Sequence, residues 1–251
     1  MRLRPCPGSF TRPFSFYWGS GLRGSYASLA ASVGTPPWAI PRGDIGGLLY
    51  VALGDSASQG VGASRPEFGY VGLLAERMRE RTGGPVLVVN LSCSGATLAD
   101  LVEHQFPRLR DLRPDLVTVA IGGNDVLAYD AARFSGQVCA LTAGLPPGTV
   151  IADVPYFMHG HWERHAAEAG RVLAGCARAN GLSTVRLHDA EQARGSIAML
   201  TDFAADWFHP NDRGHRLWAD VFWDQLSRTA ALTPTPTYPG QEPASGSGRS
   251  A

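Results

Sequence analysis

The sequence predicts a doubly wound α/β sandwich, and two observations predict it. Short runs rich in Val, Ile and Leu carry almost no polar residue, as strands do when a parallel sheet is covered on both faces. Longer segments with apolar residues at helical spacing separate these runs, and strand-helix alternation of that kind gives parallel pairing with helices on either side. In order, the runs at 48–53, 86–91, 116–121, 150–154 and 184–187 are the candidate strands. The segments 70–81, 98–109, 131–141 and 162–180 are the helices between them, and 213–226 is a last helix. No internal repeat appears.

The two ends do not fit this pattern. Residues 1–46 hold Pro5, Pro7, Pro13, Pro36, Pro37 and Pro41 among Gly and Ser, with no lasting period, so they read as a flexible extension. Arg2 and Arg4 look like the start of a signal peptide, but Pro5, Pro7 and Arg12 stand where its apolar core should be. The default expectation is therefore the cytoplasm, with secretion left open. Residues 231–251 are rich in Pro, Gly and Ser, carry too little apolar surface to offset chain entropy, and read as a disordered tail. One functional unit, 47–230, lies between.

Composition narrows the class further. Twenty-two basic residues, all of them arginine, balance 22 acidic ones, and no run of like charge provides an electrostatic footprint for nucleic acid. No stretch approaches a membrane span, so no stable membrane insertion is expected. Cys6, Cys93, Cys139 and Cys176 form no C-x-x-C pair, and buried free thiols are expected rather than a zinc site or disulfide scaffold.

In a doubly wound sheet, ligands bind outside the carboxyl ends of the strands, so the residues just after each run carry the functional information. After the first comes Gly54-Asp55-Ser56-Ala57; after the second, Asn90-Leu91-Ser92-Cys93-Ser94-Gly95; after the third, Gly122-Gly123-Asn124-Asp125. Before the last helix stands Asp206-Trp207-Phe208-His209-Pro210. Taken singly, these are an N-cap serine, ordinary turns and a structural His-Asp pair. Together, in this order, they supply a hydroxyl, donors for an oxyanion and a histidine that a carboxylate three residues earlier can orient.

These four blocks resemble those of the SGNH hydrolases, also called GDSL esterases and lipases, over about residues 47–230. The leucine of GDSL is Ala57 here. The resemblance implies a three-layer α/β/α sandwich with a central, mainly parallel five-stranded sheet, the flavodoxin-like fold of that family. It also implies a serine ester hydrolase without cofactor, with Ser56 as nucleophile, His209 as base and Asp206 orienting it. The backbone N–H groups of Ser56 and Gly95 and the Asn124 amide would then hold the oxyanion. Short- to medium-chain carboxylic esters are the expected substrates, and the partner is a small-molecule ester rather than a nucleic acid. A carbohydrate deacetylase, a lysophospholipase or a thioesterase on the same scaffold is the alternative, and a catalytically silent binding module a further one. The sequence sets no oligomeric state.

Several other residues compete for roles. Ser58, Ser92 and Ser94 are rival nucleophiles by position, while Asp55 and Asp125 read as turn carboxylates that hydrogen-bond nearby amides. His159, His161, Glu163 and His165 suggest a metal only superficially, since their spacing is not a familiar zinc pattern. Tyr156, Phe157, Met158 and Trp162 follow the fourth run and are candidate substrate-binding residues, with helix packing as the competing reading. Gly60-Val61-Gly62 lacks the third glycine of a dinucleotide loop, because Arg65 stands there.

Overall fold

The computed structural model describes residues 14–18, 47–158 and 160–232. The sheet has six strands: β1 (Phe14–Trp18), β2 (Leu48–Gly54), β3 (Val86–Asn90), β4 (Leu116–Ala120), β5 (Val150–Ala152) and β6 (Ser183–Val185). Their order is β1-β3-β2-β4-β5-β6. Strands β2 to β6 are mutually parallel, as expected, and β1 adds an antiparallel edge beside β3. That edge strand lies within the stretch expected to be a flexible extension. The remainder of that extension and the tail 233–251 lie outside the described residues.

The parallel strands alternate side chains between two apolar layers. Leu49, Val51 and Leu53 of β2 join one cluster, and Tyr50 and Ala52 join the other. Helix α1 (Tyr70–Thr82) buries Tyr70, Val71, Leu74, Ala75 and Met78, and ends at Gly83, which takes φ 69° and returns its N–H to Arg79 O. The next helical run, α2, comprises Leu98–Asp100, a π-helical turn over Leu101–Gln105 and Phe106–Arg110. A capping box between Thr97 and Asp100 starts it. Short α3 (Gly123–Val126) follows β4, and α4 (Ala131–Gly144) and α5 (Gly160–Ala179) pack as a pair on the same side as α2. Two short helices, α6 (Leu187–Ala193) and α7 (Ile197–Thr201), precede α8 (Asp212–Leu226). Helix α8 packs on α1 over the opposite face, with Tyr70 stacked on Phe222 at 5.3 Å.

Two expectations need correction. The fifth run ends at Val185, and Leu187 already begins α6, where its side chain is fully buried. The cysteines expected as buried free thiols are not: Cys139 on α4 and Cys176 on α5 form a disulfide with Cα atoms 5.3 Å apart, and Cys93 is disulfide-bonded too. Packing of α4 against α5 brings together two thiols that sequence spacing alone does not relate. Among the described residues, no helix is long and apolar enough to cross a membrane.

Candidate active site

The strand order reverses between β2 and β4, so their carboxyl ends open the crevice that the fold provides for ligands. Gly54 ends β2 with φ 151°, and a Cβ there would meet Ser58 Oγ at 2.2 Å and Ala120 O at 2.3 Å, so only glycine fits. The chain then coils through Asp55–Val61, with Gln59 N–H bonded to Asp55 O and Val61 N–H to Ser56 O. This coil sets Ser56, 4% exposed, at the floor of a cavity of about 490 Å³.

Opposite it stands the loop 202–211, which is held at both ends. Phe203 and Pro210 form a β-bridge, Ala204 N–H donates to His209 O, and Asn211 N–H donates to Asp202 O. Asp202 pairs with Arg194 and Arg213. The Asn211 amide donates to Thr201 O and Phe203 O, while its Oδ1 accepts from Arg213 N and Gly214 N and so caps α8. Within this frame Trp207, between Asp206 and His209, adopts φ 57°, in the left-handed region.

The result is a continuous relay. His209 Nε2 lies 2.8 Å from Ser56 Oγ, and His209 Nδ1 lies 2.6 Å from Asp206 Oδ2. Asp206 Oδ1 also accepts from the backbone N–H of Phe208 and of His209. Partial desolvation works to raise the Asp206 pKa, but these bonds outweigh it and hold the carboxyl down at about 2. An ionised acceptor at Nδ1 leaves the other nitrogen as the basic one, facing the serine.

The turn after β3 is tied to the same floor. Gln59 Nε2 donates to Ser92 O, and its Oε1 accepts from Ser94 N. Asn124, at the start of α3, donates from Nδ2 to Ala96 O at 2.9 Å, which leaves its second amide proton uncommitted by that bond. Ser56 and Asn124 both line the cavity. Gly95, with φ 79°, sits in the turn that Gln59 and Asn124 bracket.

Two of the rival serines are engaged elsewhere. Ser58 Oγ bonds Tyr70 Oη and Leu53 O; Ser92 Oγ bonds Asn90 Oδ1. Asp55 accepts Ala57 N–H, the turn-carboxylate behaviour expected of it, whereas Asp125 reaches across to Leu98 N–H, 27 residues away, and so ties the start of α2 to α3 rather than capping its own turn. Burial pushes both carboxyls up to about 6. Among the described residues no group of His, Cys, Asp and Glu is placed to hold a metal. His161 and His165 make a ring contact at 5.8 Å, Glu163 turns away to Phe157 N and His188, and His159 lies outside the described residues.

Tyr156, Phe157, Met158 and Trp162 all line the cavity that holds Ser56 and His209. Several residues that the motif reading missed join them. Trp207 and Phe208 stand at the mouth, both exposed, and Phe208 meets Phe157 edge-on at 6.4 Å. Their signal was present, as two large aromatics between Asp206 and His209. Leu127, Met199 and Glu191 also contribute. Desolvation pushes the Glu191 carboxyl up to about 7, against hydrogen bonds from Tyr156 N–H and Trp218 Nε1–H that favour its charge. Gln105, delivered by the π-helical turn of α2, donates from Nε2 to Gly54 O and accepts Gly54 N–H at Oε1. Its signal was a polar residue on the apolar face shared by Leu98, Leu101 and Leu109.

A serine, a histidine and an aspartate in line at the carboxyl edge of a doubly wound sheet mark an α/β hydrolase of the SGNH type. The sequence pattern of the GDSL-like Lipase/Acylhydrolase family matches residues 52–217, and the chain belongs to that family of carboxylic ester hydrolases. Similar solved structures include LAE5, an alpha/beta hydrolase enzyme from the metagenome of Lake Arreo, Spain. It is 24% identical, with a TM-score of 0.61, over 72% of this chain and 96% of that one. Axe2, an acetylxylan esterase from Geobacillus stearothermophilus, is 23% identical, with a TM-score of 0.60, over 76% of this chain and 99% of that one. No curated protein matched the chain.

Proposed function

We propose that the chain hydrolyses short- to medium-chain carboxylic esters through Ser56, His209 and Asp206, by way of an acyl-enzyme. The observation that carries this reading is the Ser56–His209–Asp206 relay at 2.8 and 2.6 Å, opening into an apolar cavity of about 490 Å³. Ser56 Oγ attacks the acyl carbon as His209 Nε2 takes its proton. The tetrahedral oxyanion is met by the backbone N–H groups of Ser56 and Gly95 and by the Asn124 amide. Collapse expels the alcohol, which takes the proton from His209. Water, deprotonated by the same nitrogen, then cleaves the acyl-enzyme and frees the acid. Catalytic mutants of Axe2 that lack a serine, a histidine or an aspartate support these assignments by analogy.

The test is hydrolysis of nitrophenyl acetate, butyrate, octanoate and palmitate by the protein and by Ser56→Ala. Loss of all but background rate in the variant is expected, with the shorter esters preferred, and equal rates would end the proposal. A second reading, deacylation of an acetylated sugar, draws on the acetylxylan esterase neighbour and on the exposed rings of Trp162 and Trp207 at the cavity mouth. Acetate release from acetylated xylo-oligosaccharides at a rate above that from nitrophenyl acetate would favour it. The disulfide between Cys139 and Cys176 favours an oxidising compartment over the cytoplasm expected by default.

A further inference from the structure

The cavity wall formed by Tyr156, Phe157 and Met158 is irregular backbone, following β5 without belonging to it. Such a segment keeps its shape only where something else supplies partners for its N–H groups. Here two glutamates on two helices do so. Glu191 on α6 accepts Tyr156 N–H at 2.8 Å with Oε2, and accepts Trp218 Nε1–H at 2.7 Å with Oε1. Glu163 on α5 accepts Phe157 N–H at 2.8 Å with Oε2, and its Oε1 lies 2.8 Å from His188 Nε2. Each carboxylate thus bridges one backbone N–H of the wall to one ring N–H of a neighbouring helix. The next residue, Met158, takes φ 65°, a conformation that L side chains adopt at a cost, and Tyr156 Oη donates to Met158 O. A strained turn directly after two anchored peptides indicates that the anchors, rather than local preference, fix its position.

We propose that Glu163 and Glu191 are positioning residues which clamp the Tyr156–Met158 wall and thereby set which acyl lengths reach Ser56. This rests on the esterase reading above. Neither carboxylate touches the reacting atoms, so the clamp acts on fit rather than on the proton relay. The two anchors differ in what they tolerate. A glutamine offers one oxygen and one NH₂, so it can keep only one of two bonds to N–H donors. Facing Glu163, His188 can change tautomer and accept from that NH₂ with Nε2, placing its proton on Nδ1, 3.8 Å from Asp189 Oδ1. Trp218 has no such option, because an indole N–H only donates.

The experiment compares nitrophenyl acetate with nitrophenyl hexanoate for Glu163→Gln, Glu191→Gln and the double variant Glu191→Gln with Trp218→Phe, each checked by thermal melting. In Glu191→Gln the ratio of kcat/KM between the two esters should move by about tenfold, the scale on which a pocket distinguishes small changes in apolar bulk. The change should sit mainly in KM, and should fall more heavily on the longer ester than on acetate. Replacing Trp218 by phenylalanine removes the clashing donor and should restore most of the ratio. Glu163→Gln should leave it nearly unchanged. Glu191→Asp, which keeps the carboxyl group and shortens the reach, should move the ratio the same way and supplies the readout if Glu191→Gln does not fold. An unchanged ratio in the Glu191 variants, or an equal loss of kcat on both esters, overturns the proposal. Failure of the esterase reading would appear separately, as Ser56→Ala retaining full activity.

Discussion

At the scale of single residues, Asn124 has two obligations that substitution would separate. Its amide holds the Ala96 carbonyl and, in the proposed mechanism, the oxyanion as well. Asn124→Ala should lower kcat by about 10² to 10³, while the lost hydrogen bond costs only about 1 kcal/mol of stability. Steady-state kinetics beside a melting curve would show the disproportion. His215 is a second case, because it is wholly buried and neutral by design: Nδ1 accepts Tyr70 N–H and Nε2 donates to Val61 O. Desolvation pushes its pKa down from 6.5 to about 4. Between those values the unfolded chain binds a proton that the folded one refuses, so this residue's contribution is intact above pH 6.5 and is lost as pH falls toward 4. Relative to a His215→Gln variant, the protein should therefore lose about 3 kcal/mol over that window, read as urea midpoints of both proteins against pH. A flat difference would refute the assignment.

At the scale of elements, the long apolar runs and long amphipathic helices were legible, because their patterns are continuous and independent of distant residues. The four motif blocks, each ordinary by itself, were legible because all four occur in order, three at the ends of those runs and one before the last helix. What escaped was whatever depends on partners far along the chain. Strand β1 is five residues long, is set in a Pro-, Gly- and Ser-rich stretch of the sequence, and forms against β3, a partner about 70 residues away. Helices α6 and α7 span 7 and 5 residues, too few for a period to show. Glu191 stands in a segment with no motif and no period, and its place follows only from the contacts with Tyr156 and Trp218. The loop 202–211 is the element where structure and activity are most closely joined, and Asn211 is its keystone. Asn211→Ala removes two cap bonds and two loop bonds. It should cost about 2 to 3 kcal/mol of stability and lower the esterase rate further than that loss explains, since the His209 segment loses its frame. Kinetics below the unfolding transition would separate the two effects.

At the scale of the whole molecule, the Cys139–Cys176 disulfide closes a span of 37 residues between two helices on the face away from α1 and α8. Replacing both cysteines by serine should lower stability by about 4 kcal/mol on the chain-entropy account. The ester-hydrolysis rate should be little changed, since neither cysteine lines the cavity. Denaturation of the double variant beside the parent checks the size. The pairing was illegible because sequence spacing does not tell which helices become neighbours. The π-helical turn at Leu101–Gln105 has a consequence of another kind, for tolerance of insertions and deletions. Such a turn carries one residue more than an α-helix would over the same rise, and here the extra residue sets the angle at which Gln105 meets Gly54. Deleting a single residue from it would yield a more regular helix and still detach Gln105 from the peptide just ahead of Ser56. The chain can gain or lose residues in its exposed connections more easily than it can lose this one irregularity.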